Sequence, residues 1–134
     1  MKSLHDLVAF QRALELTEVV YRESAAFPGD ERFGLTAQIR RATVSVTAQI
    51  AEGHGRIMYG EWRQLLSQAR GSLFEVEAEA ITAQRLGFLA DDSFENVNRQ
   101  IKRTGKALVG LIRWVQKMEQ STARLRNRET PQPR

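Results

Sequence analysis

Gly34–Arg56, GLTAQIRRATVSVTAQIAEGHGR, is the stretch whose reading decides the fold. As a helix it carries Leu35, Ile39, Ala42, Val46 and Ile50 at helical spacing, an ordinary core stripe. Its other side holds Val44, Ser45, Ala48 and Ala51, with Arg41 and Glu52 among them. That side is small and only weakly polar, unlike a plain solvent face. Small side chains let another helix come close. The expectation is a helix buried on both sides, inside its own bundle on one and against another subunit on the other.

Working outward, glycines and a proline mark the limits of this helix. Phe27-Pro28-Gly29-Asp30 breaks the chain before it, since proline disfavours helix in the preceding residue and glycine supplies a turn. The start falls between Asp30 and Leu35. Gly53 and Gly55 are read as its end, with His54 and Arg56 placed favourably against the helix dipole. Upstream, Ser3 and Asp6 resemble a capping box that opens a first helix running to about Ala26. Its stripe is read as Leu4, Leu7, Val8, Leu14 and Tyr21, widened by Phe10, Leu16 and Val20.

Downstream, a third helix is expected from Gly60 to Leu86, with Trp62, Leu65, Leu66, Ala69, Leu73, Val76, Ala80 and Ala83 facing the core. Gly71 inside it points to a close helix contact, and Gly87 is its C-cap. Asp92 and Glu95 suggest a second capping box. It would open a fourth helix ending near Glu119, with Phe94, Val97, Ile101, Leu108, Leu111, Ile112, Val115 and Met118 inward. Residues 1–119 then form an all-α, up-and-down four-helix bundle. Residues 120–134, rich in charge and ending in two prolines, are expected to be a disordered basic tail.

The 134 residues suffice for one domain with a real core. The absence of cysteine excludes disulfides, cysteine-ligated zinc and thiol nucleophiles. No apolar run approaches membrane-spanning length and Met1–Phe10 is too polar for a signal peptide, so no membrane partner and a cytoplasmic location are expected. The formal charge is +4, and three of those four charges come from Arg124, Arg126, Arg128 and Arg134 set against Glu129. Overall basicity therefore says little about the bundle itself.

The clearest chemical pattern lies on helix four. Arg99, Lys102, Arg103, Lys106, Arg113 and Lys117 fall within roughly 60° of one line at about 100° per residue. No acid interrupts the chain between Glu95 and Glu119. A continuous basic ridge suits a phosphate backbone, because each neutralised phosphate releases counterions. It has no obvious base-reading residues, so little sequence preference is expected. The plain alternative is a solvated helix face that happens to be cationic.

Other candidates are weaker. Glu75 and Glu79 share a face of helix three while Glu77 points away; ion pairs with neighbouring helices account for such a pair. A di-metal bundle needs Glu-x-x-His, and neither His5 nor His54 follows a glutamate by three. Gly53-His54-Gly55 is no phosphate loop, for no GK[ST] follows it. Trp62, Phe74 and Trp114 lie on or beside core stripes, where packing is the simple role and base stacking the other. No catalytic residue, metal or cofactor is assigned.

These residues carry a resemblance. Phe27-Pro28, Gly34-Leu35-Thr36, Gln38-Ile39-Arg40-Arg41-Ala42, Ser45, Ile50-Ala51-Glu52-Gly53 and Gly55-Arg56 resemble the signature of the 23S rRNA intervening-sequence (S23-type) four-helix bundle proteins. Ala69-Arg70-Gly71-Ser72-Leu73 followed by Glu75 resembles the family's helix-three segment. Two departures are Gln49, where asparagine is common, and Tyr59-Gly60, where a serine cap is usual.

The resemblance implies a four-helix bundle assembled into a homopentameric ring. It also implies likeness to the accessory protein of diversity-generating retroelements, which binds nucleic acid and a reverse transcriptase. Two functions are therefore expected to compete. One is a non-enzymatic homo-oligomer binding RNA or DNA through the helix-four ridge. The other is a scaffold that recruits a protein partner such as a polymerase. Arg40, Arg41, Glu52, Gly53 and Arg56 are assigned to structure or assembly. Arg41 and Glu52 lie about three turns apart, too far to pair within one helix.

Overall fold

The computed structural model describes residues 3–129. Four α-helices follow one another: α1 (Val8–Ser24), α2 (Leu35–His54), α3 (Tyr59–Arg85) and α4 (Asp91–Glu129). Short 3₁₀ turns at Leu4–Asp6 and Gly29–Glu31 precede α1 and α2. Each helix packs on its neighbours in sequence, and α4 closes the bundle against α1. The core runs along the axis through Leu16, Val20, Ile39, Val46, Ile50 and Leu66 and continues through Val76, Val97, Leu108 and Val115, all nearly inaccessible to solvent.

The turns show why the chain reverses where it does. Asp6 accepts the Ser3 backbone N–H at 3.1 Å, as a capping box requires. It opens a 3₁₀ turn rather than α1, since Leu7 is extended (φ −79°, ψ 115°) and α1 starts anew at Val8. Between α1 and α2, Glu31 folds back and accepts the Leu35 N–H at 2.9 Å, placing a carboxylate on the positive end of α2. Gly34 leaves room for it, because a Cβ there would stand 2.6 Å from Glu31 Oε2. Between α3 and α4, Gly87 takes φ 78°; its N–H donates to Gln84 O and the Phe88 N–H to Ala83 O. This is the Schellman arrangement: Leu86 is the C-cap and Gly87, expected to be the cap, stands one residue beyond it in the left-handed conformation.

Several sequence expectations change. The stripe on α1 is out of phase: Val8 and Tyr21 are exposed, whereas Ala9, Ala13 and Val19 are buried. The break at Leu7 resets the helical count, and alanines supply contacts that hydropathy underrates. Asp92 is no N-cap, since α4 already includes Asp91. Gly71 meets nothing within 4 Å, so no close contact within the chain explains it.

The largest change is at the end of α4. The helix passes Glu119 and continues to Glu129 where a disordered tail was expected. No proline or glycine stands between Gln120 and Glu129, and Ala, Leu, Arg and Gln all favour helix. At about 1.5 Å per residue α4 is about 58 Å long against about 40 Å for α3, so it overhangs the bundle. Residues 130–134 of the expected tail lie outside the described residues.

Candidate nucleic-acid interface

Arg99, Lys102, Arg103, Lys106, Arg113 and Lys117 are all exposed on the outer face of α4. The amphipathic pattern holds them there: Val97, Ile101, Thr104, Leu108, Leu111 and Val115 are buried beneath. Thr104 fixes the register against α1, its hydroxyl lying 2.7 Å from Gln100 O and 3.2 Å from Arg12 O. Arg63 of α3 clamps the far part of the helix through Glu119, with Nε–Oε2 at 2.7 Å. The helical continuation adds to the ridge. Arg124 and Arg128 fall within about 20° of the line through Arg99, which brings the row of cations to about 44 Å.

Topology also brings an acid to the ridge that the local sequence does not show. Glu15 on α1 lies 3.6 Å from Arg103 and 3.2 Å from Arg12. The pair is largely solvated and holds Arg103 only weakly. Among the described residues the other ridge cations make no ion pair within 4.0 Å.

The residues assigned to structure or assembly divide into separate roles. Arg40 ties α2 to the end of α1: Nε donates to Ser24 Oγ at 2.8 Å, Nη2 to Tyr21 O at 3.2 Å, and the guanidinium stacks 4.8 Å from the Tyr21 ring centroid. Glu52 pairs with Arg56, just past the end of α2, at 2.7 Å rather than with a neighbouring helix. Gly53 is not a left-handed end residue. It is buried within α2, and a Cβ there would stand 2.5 Å from Trp62 Cδ1, so glycine is needed for α3 to pack. Gly55 likewise has ordinary helical angles. His54 packs edge-on against Trp62 with centroids 5.8 Å apart, an aromatic contact rather than a reactive site. Gln49, at the position of the family departure, accepts the Ser72 hydroxyl at 2.9 Å and joins α2 to α3.

Arg41 is exposed and acts on Glu79 of α3. The ion pair with a neighbouring helix expected of Glu79 is not formed within 4.0 Å, although Arg41 of α2 acts on it at longer range. The Glu79 side chain is nearly buried and Oε2 has no hydrogen-bond partner. Burial pushes its carboxyl up to about 7, the Glu75 carboxylate beside it adds to the rise, and Arg41 opposes it. Among the described residues no three His, Asp or Glu side chains converge to hold a metal. No helix among them is long and apolar enough to cross a membrane.

The outer side of α2 is open in the single chain. Val44 is 45% exposed, and the flanking Phe33 and Ile57 are 87% and 95% exposed. Of the three aromatics expected beside the core, only Trp62 is in it. Trp114 is partly exposed and packs across Trp62, whereas Phe74 stands 56% exposed on α3.

Comparison with known proteins agrees with this architecture. A solved structure of a protein of unknown function from the S23 ribosomal protein family of Bacteroides thetaiotaomicron superposes with a TM-score of 0.70 at 20% identity. The match covers 78% of this chain and 98% of that one, and it shows the shared fold. No curated protein matches the sequence. The family profile of the 23S rRNA-intervening sequence proteins matches residues 5–110, which take in α1, α2, α3 and half of α4. On that match, the chain belongs to the 23S rRNA-intervening sequence protein family.

Proposed function

We propose that this chain is a non-enzymatic, homo-oligomeric four-helix bundle, assembled as a pentamer, that binds nucleic acid through the basic face of α4 with little sequence preference. One observation carries the reading: the exposed line of cations on α4, prolonged past the bundle by Arg124 and Arg128. A rigid row of that length spans many phosphates, and counterion release makes each contact favourable at low salt. The open side of α2 supports assembly, because exposed apolar side chains there gain by burial against a copy. Assembly would also bring several ridges together, raising affinity through effective concentration.

The test combines solution mass by light scattering with binding of labelled RNA and duplex DNA at low and high salt. A pentamer that holds both polymers at low salt and releases them at high salt is the expected result. A monomer that binds neither overturns the reading and leaves the scaffold, with a protein partner, in its place.

A further inference from the structure

Beside the ridge, between α3 and α4, lies an open groove of about 240 Å³. Leu73, Ile101 and Val109 form its apolar floor, and Phe74 stands on its α3 wall with more than half of the side chain in solvent. Gly105 keeps the α4 wall low, since even a Cβ there would already touch Leu73 Cδ2 at 3.4 Å. The rim is cationic. Lys102 and Lys106 of the ridge line one side and Arg70 the other, its guanidinium carbon 5.2 Å from the Phe74 ring centroid. Glu77 is the acid among the lining residues.

We propose that this groove takes an unpaired nucleobase stacked on Phe74, so that the polymer held along α4 is single-stranded. The inference rests on the reading of α4 as a phosphate-binding face and names the form of its ligand.

Three features fit this occupant. The space is smaller than the about 300–1,000 Å³ of pockets for drug-sized molecules, and suits one flat ring. An exposed aromatic beside lysines is the combination that single-strand binders use, with rings for bases and cations for the backbone. Glu77 repels phosphate but accepts N–H donors from a base edge, which keeps the backbone on the lysine side. A duplex buries its bases in the stack and could offer this groove only its backbone.

The test is fluorescence anisotropy of the full chain with one labelled sequence as single-stranded RNA, single-stranded DNA and duplex DNA. A strand of the same length with abasic sites throughout keeps the phosphates and lacks the bases. The wild type is expected to bind single strands about tenfold more tightly than the abasic strand, a stacking-sized gain. Phe74→Ala should remove that margin and leave abasic and duplex binding unchanged, while Phe74→Trp restores it. Gly105→Leu, which fills the groove from the opposite wall, should reproduce the loss without touching the aromatic. If the wild type binds abasic and normal strands equally, or Phe74→Ala and Gly105→Leu both bind single strands as the wild type does, the groove is not a base site and the ridge reading stands. If the wild type binds none of the polymers at low salt, both readings fall.

Discussion

Helices α2 and α4 stand at opposite corners of one bundle, each packed on α1 and α3, and they use charge in opposite ways. On α2 four polar side chains act within the chain. Arg40 bonds to α1, Gln49 to α3, Glu52 to Arg56, and Arg41 faces the buried Glu79. Beside the exposed Gln38, Arg41 and Glu52, α2 leaves outside the small or apolar Ala37, Val44 and Ala48. Along the α4 ridge the cations are left to solvent, with the weak Glu15 contact to Arg103 as the one ion pair among the described residues. Charge satisfied inside the chain is architecture; charge left unsatisfied along a rigid rod is available to a polyanion. Under the proposed function the two corners would serve different partners, a copy of the chain at α2 and a phosphate backbone at α4.

The sharpest way to break this contrast is to reverse α4 alone. Lys102→Glu, Lys106→Glu, Arg113→Glu and Lys117→Glu together should lower nucleic-acid affinity at low salt by about a thousandfold. The mass in light scattering should not change, and a variant that still binds would show that α4 is not the interface. The converse change is Val44→Glu with Ala48→Glu. It should reduce the assembly to single chains and cost about a hundredfold in polymer affinity through lost avidity. Unchanged mass would detach assembly from this side of α2.

Glu79 tests the buried boundary of α2 through pH. Its native carboxyl titrates at about 7 against 4.5 for an ordinary glutamate, so between these values the native state holds a proton that the unfolded chain has released. The group's favourable contribution is complete below pH 4.5 and is lost as pH rises through 7. Glu79→Gln stays neutral throughout. In urea unfolding it should match the wild type near pH 4.5 and exceed it at pH 8 by on the order of 3 kcal/mol. Parallel pH profiles for the two proteins would contradict this burial. The smallest effect belongs to Arg124→Gln with Arg128→Gln. Losing these two cations should flatten the salt dependence of binding by about two phosphate contacts. The melting temperature should hold, because α4 beyond Glu119 is almost wholly exposed. A fall in melting temperature would give the overhang a part in folding.

Much of the bundle was legible because helical periodicity and glycine–proline punctuation agree at α2, at α3 and at the Gly87 turn. The misreadings have physical causes. On α1 the buried contacts come from Ala9 and Ala13, which a hydropathy stripe passes over in favour of Val8 and Tyr21. At the end of α4, arginine-rich composition looks like a solvated tail, yet nothing in Gln120–Glu129 breaks a helix. The six ridge residues could be aligned by angle alone, since they lie on one element. Glu15 could not be foreseen beside Arg103, because only the closing of α1 on α4 brings them together. The same holds for the α3–α4 groove. Phe74 is next to the buried Leu73 in sequence, and its exposure depends on where α4 crosses.

The aromatic packing that Gly53 permits also determines what light can report about this molecule. Both tryptophans, Trp62 and Trp114, lie 5.7 Å apart at 72°, with Tyr59 against each of them. Indole emission and the indole bands of near-ultraviolet ellipticity therefore sample one end of the bundle, where the α2–α3 connection meets α4. Far-ultraviolet ellipticity, in contrast, weighs every turn of helix equally. A melting curve that differs between the two signals would separate loss of that aromatic end from fraying elsewhere, with no label added to the chain.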